Sequence, residues 1–141
     1  MKILTLNSGS SSVKYGLFEN QKCISRGIVD RIGPGSCKSH TAAIKSILNL
    51  FIQKRLIAKY SEISATGHRV VHGSTLKETI MLTPKIVRRL EQLTELAPLH
   101  QQPEITGIKI CAKLLQCKQF AVFDTAFYAD LPERAKLYAI P

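Results

Sequence analysis

The chain has 141 residues, 45% of them apolar, and a formal net charge of +10. This length suits one domain with a buried core, and this composition argues against disorder. No apolar run approaches the roughly 20 residues that a membrane-spanning helix needs, and the first residues lack the features of a signal peptide. The four cysteines have no CxxC spacing, which predicts free thiols in a reducing cytoplasm. The lack of a long apolar run predicts no membrane association.

The excess of basic residues raises the question of nucleic-acid binding. Lys and Arg are nevertheless scattered, with only short clusters such as Lys54-Arg55 and Arg88-Arg89, and no helix-turn-helix, zinc or RNA-binding pattern accompanies them. A basic surface that attracts anionic phosphate substrates, or one that faces an acidic partner, is equally consistent with the charge. We therefore expect no specific nucleic-acid partner.

The first third of the chain predicts three short strands. Lys2–Asn7, Val13–Phe18 and Cys23–Arg31 are apolar or alternating runs separated by Gly, Ser, Asn and Pro. Turn residues between short apolar runs indicate an antiparallel meander.

The pattern then changes to the period of a helix. Ser39 is a predicted N-cap, and the residues that follow it at helical spacing are Ile44, Ile47, Leu48 and Phe51. Ile63–His72 predicts a buried strand, and Thr83-Pro84 predicts an N-cap followed by a proline at the first helical position. The apolar face of that second helix consists of Ile86, Leu90, Leu93 and Ala97.

Two prolines, Pro98 and Pro103, predict a break before a third helix. The apolar face of the third helix consists of Ile105, Ile108, Ala112 and Leu115, and the last predicted strand is Gln119–Phe127. The order β-β-β-α-β-α-α-β predicts an α/β fold with a mixed sheet, antiparallel at one side and parallel at the other, with helices packed on it.

The turn between the first two strands has the composition of an anion site. In Asn7-Ser-Gly-Ser-Ser-Ser-Val-Lys14, a tight turn of small residues exposes backbone N–H groups that bind anions. The hydroxyls of Ser10, Ser11 and Ser12 add donors, Lys14 adds a positive charge, and Asn7 can bind a ligand or a metal-bound water. The spacing of a Walker loop is absent, and an ordinary polar hairpin would have a similar composition.

Arg69 and Asp124 are the two charged residues that stand out in the predicted strands. Arg69 lies in an otherwise apolar strand, where a buried or half-buried arginine needs an anion, either a carboxylate ligand or a structural salt-bridge partner. Asp124 ends an apolar strand and would project into the crevice at the carboxyl edge of the sheet, unless it caps a turn.

The histidines show no metal-binding spacing. Strand alternation puts His68 and His72 on one face and Arg69 and Val71 on the other, so a structural role is predicted for the first two. His100, in a Leu-His turn, is the better candidate for a site histidine.

Four motifs, in order along the chain, resemble those of the acetate and propionate kinase family. They are Asn7–Lys14, Gly67-His-Arg-Val-Val-His-Gly73, Leu96-Ala-Pro-Leu-His100 and Val122-Phe-Asp-Thr-Ala-Phe127. The resemblance implies a ribonuclease-H-like (actin-like ATPase) domain and transfer of the ATP γ-phosphate to acetate. Ser74, Gln101-Gln102-Pro103-Glu104 and Tyr128 depart from the family pattern, and the Gly33–Lys38 connection is shorter than in many relatives.

The resemblance also implies roles for individual residues. Arg69 would bind the carboxyl substrate and stabilise the phosphoryl group, and Asp124 would be an essential aspartate that helps to position Mg²⁺. Val71, Leu99 and His100 would belong to the acyl pocket. By the same resemblance, Ser10, Ser12 and Lys14 would bind the phosphates of ATP, with Asn7 on the metal side.

Family members have two such domains, and residues 1–141 resemble the N-terminal one alone. Two hypotheses follow. The chain could complete an active site with a separate second-domain chain or within a homo-oligomer, or it could be a non-catalytic binding domain that retains a phosphate-binding turn. An uncovered interdomain face would expose apolar surface to a partner.

Overall fold

A mixed β-sheet forms the centre of the fold. The computed structural model describes residues 1–35, 37–74, 76, 78–94, 98–128, 132 and 135, without the side chains of residues 98–100, 127 and 128. Within these residues the sheet has six strands, β1 (Lys2–Ser8), β2 (Val13–Glu19), β3 (Lys22–Val29), β4 (Ile63–Val70), β5 (Ile80–Met81) and β6 (Lys118–Phe123). Their spatial order is β3-β2-β1-β4-β6-β5.

The sheet has an antiparallel part and a parallel part. Strands β1, β2 and β3 are antiparallel neighbours, as the meander predicted, and β1, β4 and β6 run parallel. The predicted mixed sheet is thus confirmed. The two-residue strand β5 was not predicted, and it adds an antiparallel edge beside β6.

Three helices pack with this sheet: α1 (His40–Gln53), α2 (Pro84–Leu93) and α3 (Pro98–Leu114). The predicted N-caps are confirmed, because Ser39 Oγ accepts the N–H of Ala42 at 3.2 Å and Thr83 Oγ1 accepts that of Ile86 at 3.3 Å. Such caps satisfy amides that have no partner inside the helix.

The predicted break before α3 is confirmed only in part, because α2 ends at Leu93 but Pro103 does not belong to the break. The helix begins at Pro98 and continues through Pro103, a proline close enough to the helix start that few backbone bonds are lost. Ala112 is exposed, and the neighbouring Cys111 faces the core in its place. Ala97, which was predicted for the face of α2, lies outside the described residues.

Strands β4 and β6 are shorter than predicted. β4 ends at Val70, and its residues alternate between buried and more exposed because only one face of the sheet packs on the core. β6 ends at Phe123, and a 3-10 turn follows over Asp124–Tyr128.

The two faces of the sheet differ in exposure. α1 and α3 pack against the face whose core includes Leu4, Leu6 and Leu17, together with the predicted α1 residues Ile44, Ile47, Leu48 and Phe51. On the opposite face Thr5, Lys14, Arg69 and Val122 are exposed. Of the described helices, none combines the length and apolar character that crossing a membrane requires.

Candidate active site

The carboxyl ends of three parallel strands bring Asn7, Arg69 and Asp124 to one edge of the sheet. Leu6 of β1 pairs with His68 of β4, and His68 pairs with Ala121 of β6. Asn7 and Arg69 follow these paired residues on adjacent strands, which lie about 4.8 Å apart in any sheet. Asp124 follows the end of β6, so the topology joins segments that are far apart in the sequence.

The Gly9–Ser12 turn joins β1 to β2 beside this edge. The Gly9 N–H donates to the Ser12 carbonyl at 2.8 Å, and the Ile32 N–H donates to the Ser11 carbonyl at 2.8 Å. Within the described residues, the amides of Ser10 and Ser11 have no backbone acceptor. These two N–H groups therefore remain available to an anion, as the composition of the turn predicted.

His40 is a contact of this turn that sequence reasoning missed. Its Nε2 lies 2.7 Å from the carbonyl oxygen of Gly9 and therefore donates a hydrogen bond to it, although the two residues are 31 positions apart. His40 opens α1 directly after the Ser39 cap, so the start of this helix holds the turn in place.

Lys14 and Asn7 are cross-strand partners in the β1–β2 hairpin. Both line an open groove of about 400 Å³ on the exposed sheet face, together with Arg26 of β3. The groove therefore has cationic side chains beside the turn, and such a surface attracts phosphate groups.

Arg69 and Asp124 form a bidentate ion pair. Arg69 Nε donates to Asp124 Oδ1 at 2.8 Å, and Arg69 Nη2 donates to Oδ2 at 2.6 Å. The hydrogen bonds to Asp124 raise the pKa of Arg69. Its side chain is 48% exposed on the uncovered sheet face, so Arg69 is half-buried rather than fully buried. A guanidinium in this position is accessible to a soluble anion.

Glu104 of α3 is a second residue that sequence reasoning did not assign to the site. Its carboxylate accepts the N–H of Val71, with distances of 3.3 and 3.2 Å to the two oxygens, and only 4% of the residue is exposed. Burial raises its pKa to about 7, although the Val71 N–H and the Arg69 charge lower it. The sequence does hold one indication of this role. Glu104 is spaced at helical intervals from Ile108 and Cys111, which are buried, so it falls on the core face of α3.

Of the two histidines predicted for one strand face, only His68 lies on β4. His68 is buried and its Nε2 lies 2.7 Å from Gln119 Oε1, while desolvation lowers its pKa to about 4. His72 lies beyond the end of β4 and is exposed, so the predicted common face with His68 is wrong, and its Nδ1 accepts the N–H of Ser74. The side chains of Leu99 and His100, both in the first turn of α3, lie outside the described part of the structure.

The donor atoms at this edge suit magnesium better than a transition metal. Among the described residues, no three His, Cys, Asp or Glu side chains cluster as metal ligands. Mg²⁺ instead takes one or two carboxylates together with substrate phosphates and water. The Asp124 carboxylate and the Asn7 side-chain oxygen fit this requirement, although Arg69 already occupies both oxygens of Asp124.

The sheet topology and the residues at its edge define an α/β domain with the actin-like ATPase fold. Solved structures support this class over almost the whole chain. An acetate kinase from Porphyromonas gingivalis is 34% identical, with a TM-score of 0.88 over 99% of this chain and 41% of its own. A propionate kinase from Francisella tularensis is 29% identical, with a TM-score of 0.84 over the same shares of the two chains.

The chain belongs to the acetokinase family, whose model matches residues 2–141. Acetate kinases from Halothermothrix orenii and Thermotoga maritima are 37% and 39% identical to it over its whole length. The chain spans 42% and 41% of the length of these two relatives.

Proposed function

We propose that this chain supplies the acceptor side and part of the phosphate side of a kinase site. The reaction is the reversible transfer of the γ-phosphate of ATP to acetate, giving ADP and acetyl phosphate. The observation that carries the proposal is the bidentate Arg69–Asp124 pair, which lies at the same sheet edge as the Gly9–Ser12 turn. Similarity to named acetate kinases supports the same chemistry.

Arg69 binds the carboxylate acceptor in this proposal. A guanidinium matches the two oxygens of a carboxylate, and Arg69 already holds the carboxylate of Asp124 in this way. Acetate would replace Asp124 on the guanidinium, and Val71 would contact its methyl group. Leu99 and His100, both in the first turn of α3, would complete a pocket for a short-chain carboxylate.

The turn binds the transferred phosphate. The free amides of Ser10 and Ser11 and the hydroxyls of Ser10 and Ser12 would donate to phosphate oxygens, with Lys14 as the neighbouring positive charge. Because β1 and β4 are adjacent, a phosphate on the turn and a carboxylate on Arg69 come within reach of each other.

The reaction needs alignment more than proton transfer. An acetate oxygen forms the new bond to the γ-phosphorus while the bond to the β–γ bridging oxygen breaks, and ADP leaves. Acetate is already ionised near neutral pH, so no general base is required, and positioning with charge neutralisation supplies the catalysis. Mg²⁺ on Asp124 and Asn7 would neutralise phosphate charge.

The rest of the nucleotide site would come from a second surface. The chain spans about two fifths of its relatives, so we propose that a surface equivalent to the part of the relatives that it does not match closes the exposed sheet face. The four cysteines are free thiols, which supports a reducing cytoplasmic setting.

Hydroxamate trapping of acetyl phosphate tests the proposal. The chain is assayed with ATP, Mg²⁺ and acetate, alone and mixed with a chain that carries the remainder of the Thermotoga maritima acetate kinase. We expect acetyl phosphate to form in at least one of the two samples. The product should be lost in Arg69→Ala and Asp124→Ala and retained in Glu62→Gln. No product in either sample from the folded chain would favour the non-catalytic binding domain.

A further inference from the structure

Glu104 is a buried carboxylate at the end of β4 whose partner is a backbone amide. Both oxygens lie 3.2 to 3.3 Å from the Val71 nitrogen, and the residue is 4% exposed. A glutamate is seldom buried to this extent without an anchoring interaction. The anchor joins α3 to the first residue after β4.

A second side chain of α3 holds the next residue of the same segment. Gln101 Nε2 donates to the carbonyl of His72 and to that of Leu90, each at 3.2 Å. Glu104 and Gln101 are three positions apart and therefore lie on one face of the helix. Two neighbouring side chains of α3 thus fix two consecutive residues beyond the point where sheet pairing stops.

Glu104 is also electrically coupled to the ion pair. Its charge raises the pKa of Arg69, and Asp124 in turn raises that of Glu104. Asp124 thus binds the guanidinium directly, whereas the buried Glu104 binds the backbone amide of Val71, two residues after Arg69.

We propose that Glu104 is a positioning residue of the acceptor subsite, which sets the Val71 backbone and thereby the carboxylate-binding geometry of Arg69. This inference rests on the proposed function, because it assumes that acetate binds at Arg69 and Val71. Glu104 itself is buried and does not contact the substrate. The hydrogen bond to the Val71 amide, rather than the volume of the Glu104 side chain, is what maintains the geometry for carboxylate binding.

A pair of variants separates the hydrogen bond from the volume. Glu104→Gln keeps an oxygen that accepts the Val71 N–H, whereas Glu104→Leu fills similar space and leaves that buried N–H without an acceptor. Glu62→Gln is the matched control, because Glu62 also accepts backbone amides, those of Ala58 and Lys59, at the other end of β4.

Acetate and inorganic phosphate are titrated separately into the ¹⁵N-labelled 141-residue chain. The Val71 amide and the Arg69 Nε–H report acetate, and the Ser10 and Ser11 amides report phosphate. We expect Glu104→Leu to weaken acetate binding about tenfold, the scale of one unsatisfied buried donor, with phosphate affinity unchanged. Glu104→Gln and Glu62→Gln should stay within about threefold of the wild type for both ligands.

Two negative results have different meanings. If the wild-type chain shows acetate shifts and Glu104→Leu binds acetate equally well, the positioning role is wrong while the proposed function survives. If acetate shifts neither the Val71 amide signal nor the Arg69 Nε–H signal in the wild type, the proposed acceptor site is wrong. The proposed role of Glu104 is then wrong as well. If Glu104→Leu does not fold, the affinity of Glu104→Gln for acetate decides. Acetate binding tenfold weaker than in the wild type, with the Val71 amide signal at its wild-type position, would overturn the proposal. Wild-type affinity for acetate would support it.

Discussion

Arg69 and Asp124 are 55 residues apart in the chain and are joined by two parallel hydrogen bonds of 2.8 and 2.6 Å. The pair lies at the carboxyl edge of the parallel strands, where α/β proteins bind their ligands. Its two side chains are 48% and 37% exposed, so solvent screens their attraction. The pair therefore suits exchange with a ligand better than it suits stabilisation of the fold.

We predict that Asp124→Asn strongly lowers turnover at little cost in stability. An exposed ion pair contributes about 0 to 1 kcal/mol, whereas loss of a charge at the reacting centre lowers turnover on the order of 100-fold. Urea unfolding and the hydroxamate assay of the active mixture measure the two effects. The control is Glu91→Gln, which breaks the similarly exposed Lys109–Glu91 pair. This variant should be as stable as Asp124→Asn and should retain activity. A loss of several kcal/mol in Asp124→Asn would instead mark a structural salt bridge.

We predict that His68 makes the fold sensitive to acid. Its pKa of about 4 lies below the ordinary value of 6.5, so the folded state favours the neutral ring. This contribution to stability is present above pH 6.5 and is lost as the pH falls toward 4, by an amount on the order of 3 kcal/mol. Urea unfolding of His68→Gln between pH 7 and 4 should lack this loss. An identical pH profile in the variant would show that His68 is not protonated on unfolding.

Glu104 should have the opposite effect on the pH profile. Its pKa of about 7 is raised from 4.5, so the folded state favours the protonated acid. Stability from this group is present below pH 4.5 and is lost as the pH rises through 7, again by roughly 3 kcal/mol. Relative to the wild type, Glu104→Gln should therefore gain stability as the pH rises from 4.5 to 7. No relative gain in urea unfolding would contradict the raised pKa.

We predict that Ser74→Gly stabilises the chain. Ser74 has a φ of 57°, in the left-handed region that favours glycine. Its backbone N–H donates to His72 Nδ1, and a glycine keeps that donor. The expected gain is about 0.5 to 1 kcal/mol in urea unfolding, after the entropic cost of a glycine in the unfolded chain.

The neighbouring Gly73 provides a contrast. A Cβ there would lie 2.6 Å from Phe123 Cδ1 and 2.8 Å from the carbonyl oxygen of Leu76, so Gly73→Ala should lose about 1 to 3 kcal/mol. If Ser74→Gly is destabilising while Gly73→Ala is not, the backbone of this segment differs from the one described.

Local chemistry was sufficient to predict most of the framework from the sequence. The Ser39 and Thr83 caps and the meander follow from short-range signals, and Asp124 follows the last parallel strand at the carboxyl edge of the sheet, as predicted. The same rules failed at Pro103, where a local breaker lies inside α3 because burial of Ile105 and Ile108 outweighs one lost backbone bond.

The supporting contacts of the site could not be predicted, because they depend on the tertiary structure. His40 reaches Gly9 across 31 residues, and Glu104 reaches Val71 across 33. Strand β5 has only two residues, too few for any periodicity. Each of these features depends on which segments the fold brings together, and no local pattern carries that information.

Acetyl phosphate tests most directly whether the turn and Arg69 form one site, because this molecule carries both the acyl group and the phosphate. It is titrated into the ¹⁵N-labelled chain while the amides of Ser10, Ser11 and Val71 and the Arg69 Nε–H are followed. We predict that all four signals shift with a single dissociation constant, and that Arg69→Ala weakens the response of the turn as well. Shifts confined to the turn, unchanged in Arg69→Ala, would contradict a shared phosphoryl-transfer site.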